Sequence, residues 1–149
     1  MNLKNEKGIT LVALVITIVL MLILVVVGIE YGGSAIQRAT LEDIKTDMIS
    51  IKTRAKIVAE QYNFKDIESL VGSEITAEEA SKIDLTEQWQ ENSDKILKWS
   101  SEDLASQNLR AIQGDKYIVS YDLDNPNNCE VYYLEGYENM HSLTQLQGL

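Results

Sequence analysis

The side chains best suited to chemistry lie in the segment DLDNPNNCE, residues 122–130. The oxygen-bearing members at nearly alternating positions are Asp122, Asp124, Asn128 and Glu130. Carboxylate and amide oxygens are the ligands that Ca²⁺ prefers. However, Pro126 occupies a position where a calcium loop would place a ligand, and no glycine supplies the sharp turn. The match to a calcium loop is weak, and a plain turn between two strands is the simpler interpretation.

No catalytic motif accompanies these residues. His141 is the one histidine and has no Cys or Ser motif near it, and the sequence contains no Gly-rich phosphate loop, CxxC or HExxH. Thr76 is a typical N-cap residue, and Glu78 and Glu79 are acids in the first turn that would follow it. The acidic pair is therefore explained by an ordinary helix start. We therefore expect that the protein is not an enzyme and that it needs no cofactor.

The most decisive feature is an uncharged apolar run of 21 residues, Ile9 to Ile29, directly after the polar leader MNLKNEKG. Such a run is long enough to cross a bilayer as a helix. On an insertion scale it favours entry into the membrane by on the order of 5–10 kcal/mol. The run places the protein at a membrane.

The junction between leader and run is also distinctive, since Lys7-Gly8 is followed at once by Ile9 and the string reads KGITLVALVITI. This string resembles the processing site of type IV prepilins and pseudopilins of Gram-positive bacteria. The resemblance covers roughly the first 30 residues. It implies that a membrane-bound prepilin peptidase cuts on the cytoplasmic side after Gly8 and methylates the new N-terminus at Ile9. It also implies a long helix, a small β-rich head, and assembly contacts at Ile9, Leu11, Val12, Ala13 and Leu14.

Ala13 departs from the family pattern, which usually has a Glu a few residues into the apolar run. In the family, that carboxylate is thought to pair with the N-terminal amine of a neighbouring subunit. With Ala13, either apolar packing alone holds the filament together or this subunit lies at a tip. Some pseudopilins of type II secretion systems hold calcium in a loop near the C-terminus, and residues 122–130 also lie near the C-terminus of this chain.

Two other interpretations of the N-terminus compete with this one. A secretory signal peptide would have an apolar core of 7–15 residues, and Gly33-Ser34-Ala35 could serve as its cleavage site, but the run of residues 9–29 is too long. A plain single-span anchor fits the length. Neither alternative requires the Lys7-Gly8 step or a run that begins at the next residue.

Composition and charge describe one modest domain outside the cytoplasm. The chain has 149 residues and a net charge of −10, which disfavours nucleic acid and anionic lipid as direct partners of the head. Lys4 and Lys7 precede the run, so we expect a single-pass protein with its N-terminus inside and its head outside. Cys129 is the one cysteine and cannot form an internal disulfide.

A second helical pattern follows the apolar run. Apolar residues at alternating steps of three and four form one stripe: Leu41, Ile44, Met48, Ile51, Ala55, Val58 and Tyr62. Charged residues of both signs lie between them. The stripe predicts an amphipathic helix that covers the head, and coiled-coil dimerisation is the alternative.

The head reads as short helices followed by strands. Thr76 and either Ser100 or Ser101 predict helix starts, the latter for a helix through Leu104 and Leu109. Trp89 and Trp99 are interpreted as core rather than as binding aromatics. The segments 116–121 and 129–134 predict a β-hairpin around the turn cluster, with Tyr117, Val119 and Tyr121 on one face.

The predicted fold is α+β, with a long N-terminal helix packed on a small antiparallel sheet. Its regions are a leader (1–8), a membrane and assembly helix (9–29), an amphipathic continuation (30–62) and a head (63–149). The predicted function is a structural subunit of a type IV pilus or of a secretion- or competence-type pseudopilus, at the membrane and then in a surface filament. Its expected partners are the membrane, a prepilin peptidase and other pilin-like subunits. The alternative is a monomeric membrane-anchored binding module.

Overall fold

The computed structural model describes the backbone of residues 3–149 and the side chains of residues 8–26 and 38–149. Met1 and Asn2 of the predicted leader lie outside the described residues, and the alternative cleavage site at residues 33–35 lies outside the described side chains. The chain is α+β, as predicted. It divides into two compact units, Met1–Thr40 and Leu41–Leu149.

The long helix comes first, as predicted, but the head does not place its short helices before its strands: one short strand precedes the first of these helices and another lies between the second and third. The helices are α1 (Leu3–Asn63), α2 (Ala77–Lys82), α3 (Thr86–Glu91), α4 (Ser101–Ser106) and α5 (Leu143–Gln147), with a short 3-10 helix at Pro126–Asn128. The strands are β1 (Ser73–Glu74), β2 (Ile96–Lys98), β3 (Tyr117–Ser120), β4 (Glu130–Tyr137) and β5 (Met140–Ser142).

The second unit is built around the apolar stripe of α1. Met48, Ile51, Ala55 and Val58 are fully buried and belong to the same cluster as the sheet residues Val119 and Val131. The stripe is therefore intramolecular core, and the coiled-coil interpretation is wrong. The stripe ends before Tyr62, which is 37% exposed.

The sheet is an antiparallel meander in the order β1-β2-β3-β4-β5. The predicted hairpin is confirmed, since Val119 of β3 pairs with Val131 of β4. However, β4 continues to Tyr137, beyond the predicted end at Leu134, and pairs there with Met140 of β5. Glu138 and Asn139 connect these two strands with φ values of 50° and 64°, as a two-residue hairpin turn requires.

The sheet is covered on both faces. The face with Tyr117, Val119 and Tyr121 belongs to the cluster that contains the α1 stripe, as the alternation predicts. The other face contributes Ile96 and Ile118 to a second cluster under α2 and α3. Both tryptophans contribute to these cores. Trp99 is fully buried in the first, and Trp89 is partly buried against the second.

Two predicted helix starts are confirmed in detail. Thr76 and Ser100 each form a capping box, with Glu79 and Asp103 respectively. The prediction that the second helix reaches Leu109 is wrong, because α4 ends at Ser106. Asn108 has a φ of 62°, a left-handed conformation that an α-helix cannot continue through.

Candidate processing and membrane-spanning segment

The first unit presents apolar side chains along α1. Gly8–Val26 is a stretch of 19 residues with a mean hydropathy of 3.3, and none of it is buried. Leu11 is 63% and Val12 58% exposed, and the apolar residues that follow are similarly exposed up to Val26. These residues occupy consecutive positions and therefore surround the helix rather than forming a stripe. The segment is long and apolar enough to cross a membrane.

The polar side chain in the middle of this segment is satisfied within the helix. The Thr17 hydroxyl donates to the carbonyl oxygen of Ala13 at 2.8 Å. In hydrocarbon there is no water to satisfy such a group, so an internal hydrogen bond is what a membrane-spanning helix requires. Thr17 is therefore compatible with lipid on all sides.

The residues at the expected cleavage position lie at the start of this segment. Apart from its chain neighbours and the backbone of its own helix, a Cβ at Gly8 would meet no described atom within 4 Å, and Ile9 is 71% exposed. The fold of the chain thus places no steric demand for glycine at position 8. A requirement for a small residue there would have to come from a partner that acts on this bond.

The other predicted assembly residues follow within the next two turns. Leu11, Val12 and Leu14 are exposed apolar side chains, and Ala13 presents a methyl group at an exposed position. No described side chain in this stretch carries a charge that could pair with an amine. Contacts made here depend on shape and dispersion.

The oxygen-bearing residues singled out in the second unit do lie together. Asp122, Asp124, Asn128 and Glu130 all line one cavity of about 440 Å³. Asp122 Oδ1 accepts from the backbone N–H groups of Asp124 at 3.1 Å and Asn125 at 3.0 Å. Glu130 accepts from the hydroxyl of Thr144 and from the N–H of Val131. These two carboxylates therefore organise the turn and the strand beside it.

The described part of the chain contains no group of three or more His, Cys, Asp or Glu side chains placed to hold a metal ion. His141 lies with Nδ1 2.7 Å from the carbonyl oxygen of Tyr133, and its ring packs where a Cβ at Gly136 would otherwise lie. Cys129 is fully buried, and burial raises the pKa of its thiol. Both residues are packed parts of the head.

Sequence reasoning missed most of the cavity lining. Gln88, Asn92, Lys95 and Tyr132 line it beside the four residues above. They come from α3, the segment before β2, and β4, which the sheet brings together across about 45 positions of the sequence. No local spacing signals such a group.

Comparisons with protein-family models, with curated proteins and with solved structures find no match to this chain. The class that the fold defines is therefore an α+β protein with one N-terminal helix long and apolar enough to cross a membrane.

Proposed function

We propose that this chain is a pilin-like or pseudopilin-like structural subunit. It is inserted in the membrane by Gly8–Val26, cut after Gly8 by a prepilin peptidase, and assembled with other pilin-like subunits through its N-terminal helix. The observation that carries the proposal is the exposure of an apolar segment at the position where the resemblance places a pilin's assembly helix. The large apolar side chains from Ile9 to Val26 are all about half exposed or more, and they follow directly after the Lys7-Gly8 step of the resemblance to prepilins.

The environment of Gly8 supports the processing step. Because a Cβ at this position would meet no described atom outside the local helix within 4 Å, the described part of the fold does not require glycine there. Selection by an enzyme for a small residue before the cut bond accounts for it. The leader lysines, Lys4 and Lys7, favour retention of the N-terminus on the cytoplasmic side, where the family's peptidase acts.

The surface of the apolar segment supports assembly. Lipid tails and neighbouring apolar helices are similar surroundings, so a helix can leave the bilayer at little cost if it enters a bundle. The outward side of α1 in the second unit adds Ile49, which is 46% exposed, and Ile57, which is 36% exposed. With Ala13 in place of the family's carboxylate, packing sets the register of a body subunit, or the subunit occupies a tip.

The second unit supports the same proposal at the level of layout. The family resemblance implies a helix whose distal half covers a small antiparallel sheet. In this chain the α1 stripe and one face of a five-stranded antiparallel sheet share one core. The observed arrangement is compatible with that layout.

Cleavage can be tested by co-expressing the full chain with a prepilin peptidase and measuring the intact mass of the membrane fraction. We expect a mature chain that begins at Ile9 and carries one added methyl group. Gly8→Phe should block cleavage without loss of membrane insertion. Asn5→Phe is the matched control, since it adds the same bulk within the leader and should leave cleavage intact.

The outcomes separate the proposal from its alternatives. A chain that ends up cut after Ala35 and released would favour a secreted protein. A chain that stays uncut with the peptidase present, while a known prepilin in the same cells is processed, would favour the monomeric anchored binding module.

A further inference from the structure

The second unit contains a cavity of about 440 Å³ that lies outside the apolar segment of residues 8–26. It lies between α3, the start of β2, the β3–β4 connection and β4. Its volume is within the range of small-molecule sites, about 300–1,000 Å³.

The lining is polar, and several of its side chains are exposed, including the amides of Gln88, Asn92 and Asn128. Lys95 and Tyr132 line the same cavity. Among the described residues, none of these five side chains has a hydrogen-bonding partner. Each amide offers both donors and an acceptor. The free groups therefore form a mixed set rather than a set of donors or of acceptors alone.

The charges of the lining exclude several ligand classes. The charged residues of the lining are Asp122, Asp124, Glu130 and Lys95. Asp122 and Glu130 also accept hydrogen bonds from the protein. Three carboxylates against one ammonium group disfavour phosphates and other anions. An ammonium group in the same cavity disfavours a bare metal ion, since it would be repelled at close range.

We propose that this cavity binds a neutral oligosaccharide. Each sugar hydroxyl is at once a donor and an acceptor, so adjacent hydroxyls match planar amides such as those of Gln88, Asn92 and Asn128. Tyr132 adds an aromatic side chain with a polar end, which suits an amphipathic sugar ring. An extended peptide fits less well, because β3 is paired with both β2 and β4, and β2 is paired with β1 at Leu97 and Lys98. Little free strand edge remains here for strand addition.

The test uses the purified full chain in detergent, titrated by calorimetry with chitotriose and maltotriose, after a screen on an array of neutral oligosaccharides. We expect saturable binding to at least one of them. Gln88→Ala should raise Kd by about five- to tenfold, because one hydrogen-bonding side chain is lost. Gln90→Ala is the matched control. It lies on the same helix and is exposed, but it does not line the cavity, and its Kd should stay within about twofold of the unaltered chain.

The inference would be overturned if no neutral oligosaccharide on the array bound, or if Gln88→Ala and Gln90→Ala changed Kd equally. Binding of spermine or of sulfated sugars in preference to neutral sugars would also overturn it. The site lies within Leu41–Leu149 and does not depend on cleavage at Gly8. Its failure would therefore leave the proposed assembly untouched, and an uncleaved chain would leave the cavity proposal standing.

Discussion

Tyr121 joins three separated parts of the head through one hydroxyl group. The hydroxyl oxygen accepts from the Trp99 Nε1–H at 3.1 Å, and the hydroxyl O–H donates to the carbonyl oxygen of Val71 at 2.7 Å. Tyr121 is 4% and Trp99 0% exposed. Water therefore has little access to replace either bond.

Replacing Tyr121 with Phe should lower the free energy of unfolding by about 1–3 kcal/mol, because it leaves a buried donor without a partner. Urea unfolding followed by tryptophan fluorescence measures this change. Tyr62→Phe removes the same hydroxyl from an exposed side chain and should change stability little. Equal effects of the two variants would contradict the role given to Tyr121.

Asp47 makes the stability of the head depend on pH. Burial raises the pKa of its carboxyl above the ordinary 3.8, the hydrogen bond from the Tyr117 hydroxyl opposes that rise, and the like charge of Asp43 adds to it. The folded state thus binds this proton more tightly than the unfolded state. Protonation of Asp47 therefore stabilises the folded state. This contribution is fully present below the pKa of Asp47 in the unfolded chain, and it is lost as the pH rises through the pKa of Asp47 in the folded chain.

Asp47→Asn imitates the protonated form and should be more stable than the unaltered chain at neutral pH. This gain should shrink towards zero as the pH falls below about 3.8. Urea unfolding at a series of pH values measures it. Asp66→Asn, in the exposed turn after α1, serves as the control. A gain for Asp47→Asn that does not change with pH would contradict the assignment.

At the scale of the element, α1 presents two different faces within the second unit. Ile51 is fully buried against the sheet and Ile57 is 36% exposed on the outward side. Ile51→Ala should lower the free energy of unfolding by about 2–5 kcal/mol. Ile57→Ala makes the same change on the other face and should cost no more than about 1 kcal/mol.

These two variants also separate folding from assembly. If the outward face contacts a neighbouring subunit, Ile57→Ala should lower the amount of the chain found in filaments. Its free energy of unfolding should stay nearly unchanged. A large loss of stability in Ile57→Ala, or none in Ile51→Ala, would show that the faces of α1 are assigned the wrong way round.

The sequence predicted the elements whose signal is local and repeated. The stripe from Leu41 to Val58 repeats often enough to fix both the helix and its buried face. In contrast, β1 has two residues and β5 has three, too few to show alternation. The end of α4 was missed because a single left-handed residue, Asn108, ended a helix that local apolar spacing would have continued.

At the scale of the whole molecule, the α+β layout followed from a long apolar run, an amphipathic stripe and strand-like segments in that order. The processing position rests on contiguous residues, so the sequence alone could propose it. The cavity could not be proposed in this way, because Gln88, Lys95 and Tyr132 become neighbours only when α3 and the sheet are assembled. Contacts between residues so far apart in the sequence are set by tertiary packing. They produce no periodic pattern in the sequence from which they could be predicted.

We propose that the chain leaves the membrane as a processed subunit of a filament. The most direct measurement is mass spectrometry of filaments sheared from cells that express the full chain together with a prepilin peptidase and a pilus assembly machinery. We expect to recover the chain in the sheared fraction with an N-terminus at Ile9, and we expect the Gly8→Phe variant to remain in the membrane. Recovery of the chain from the membrane alone, uncut at Gly8, in cells whose other pilins do form filaments, would contradict it.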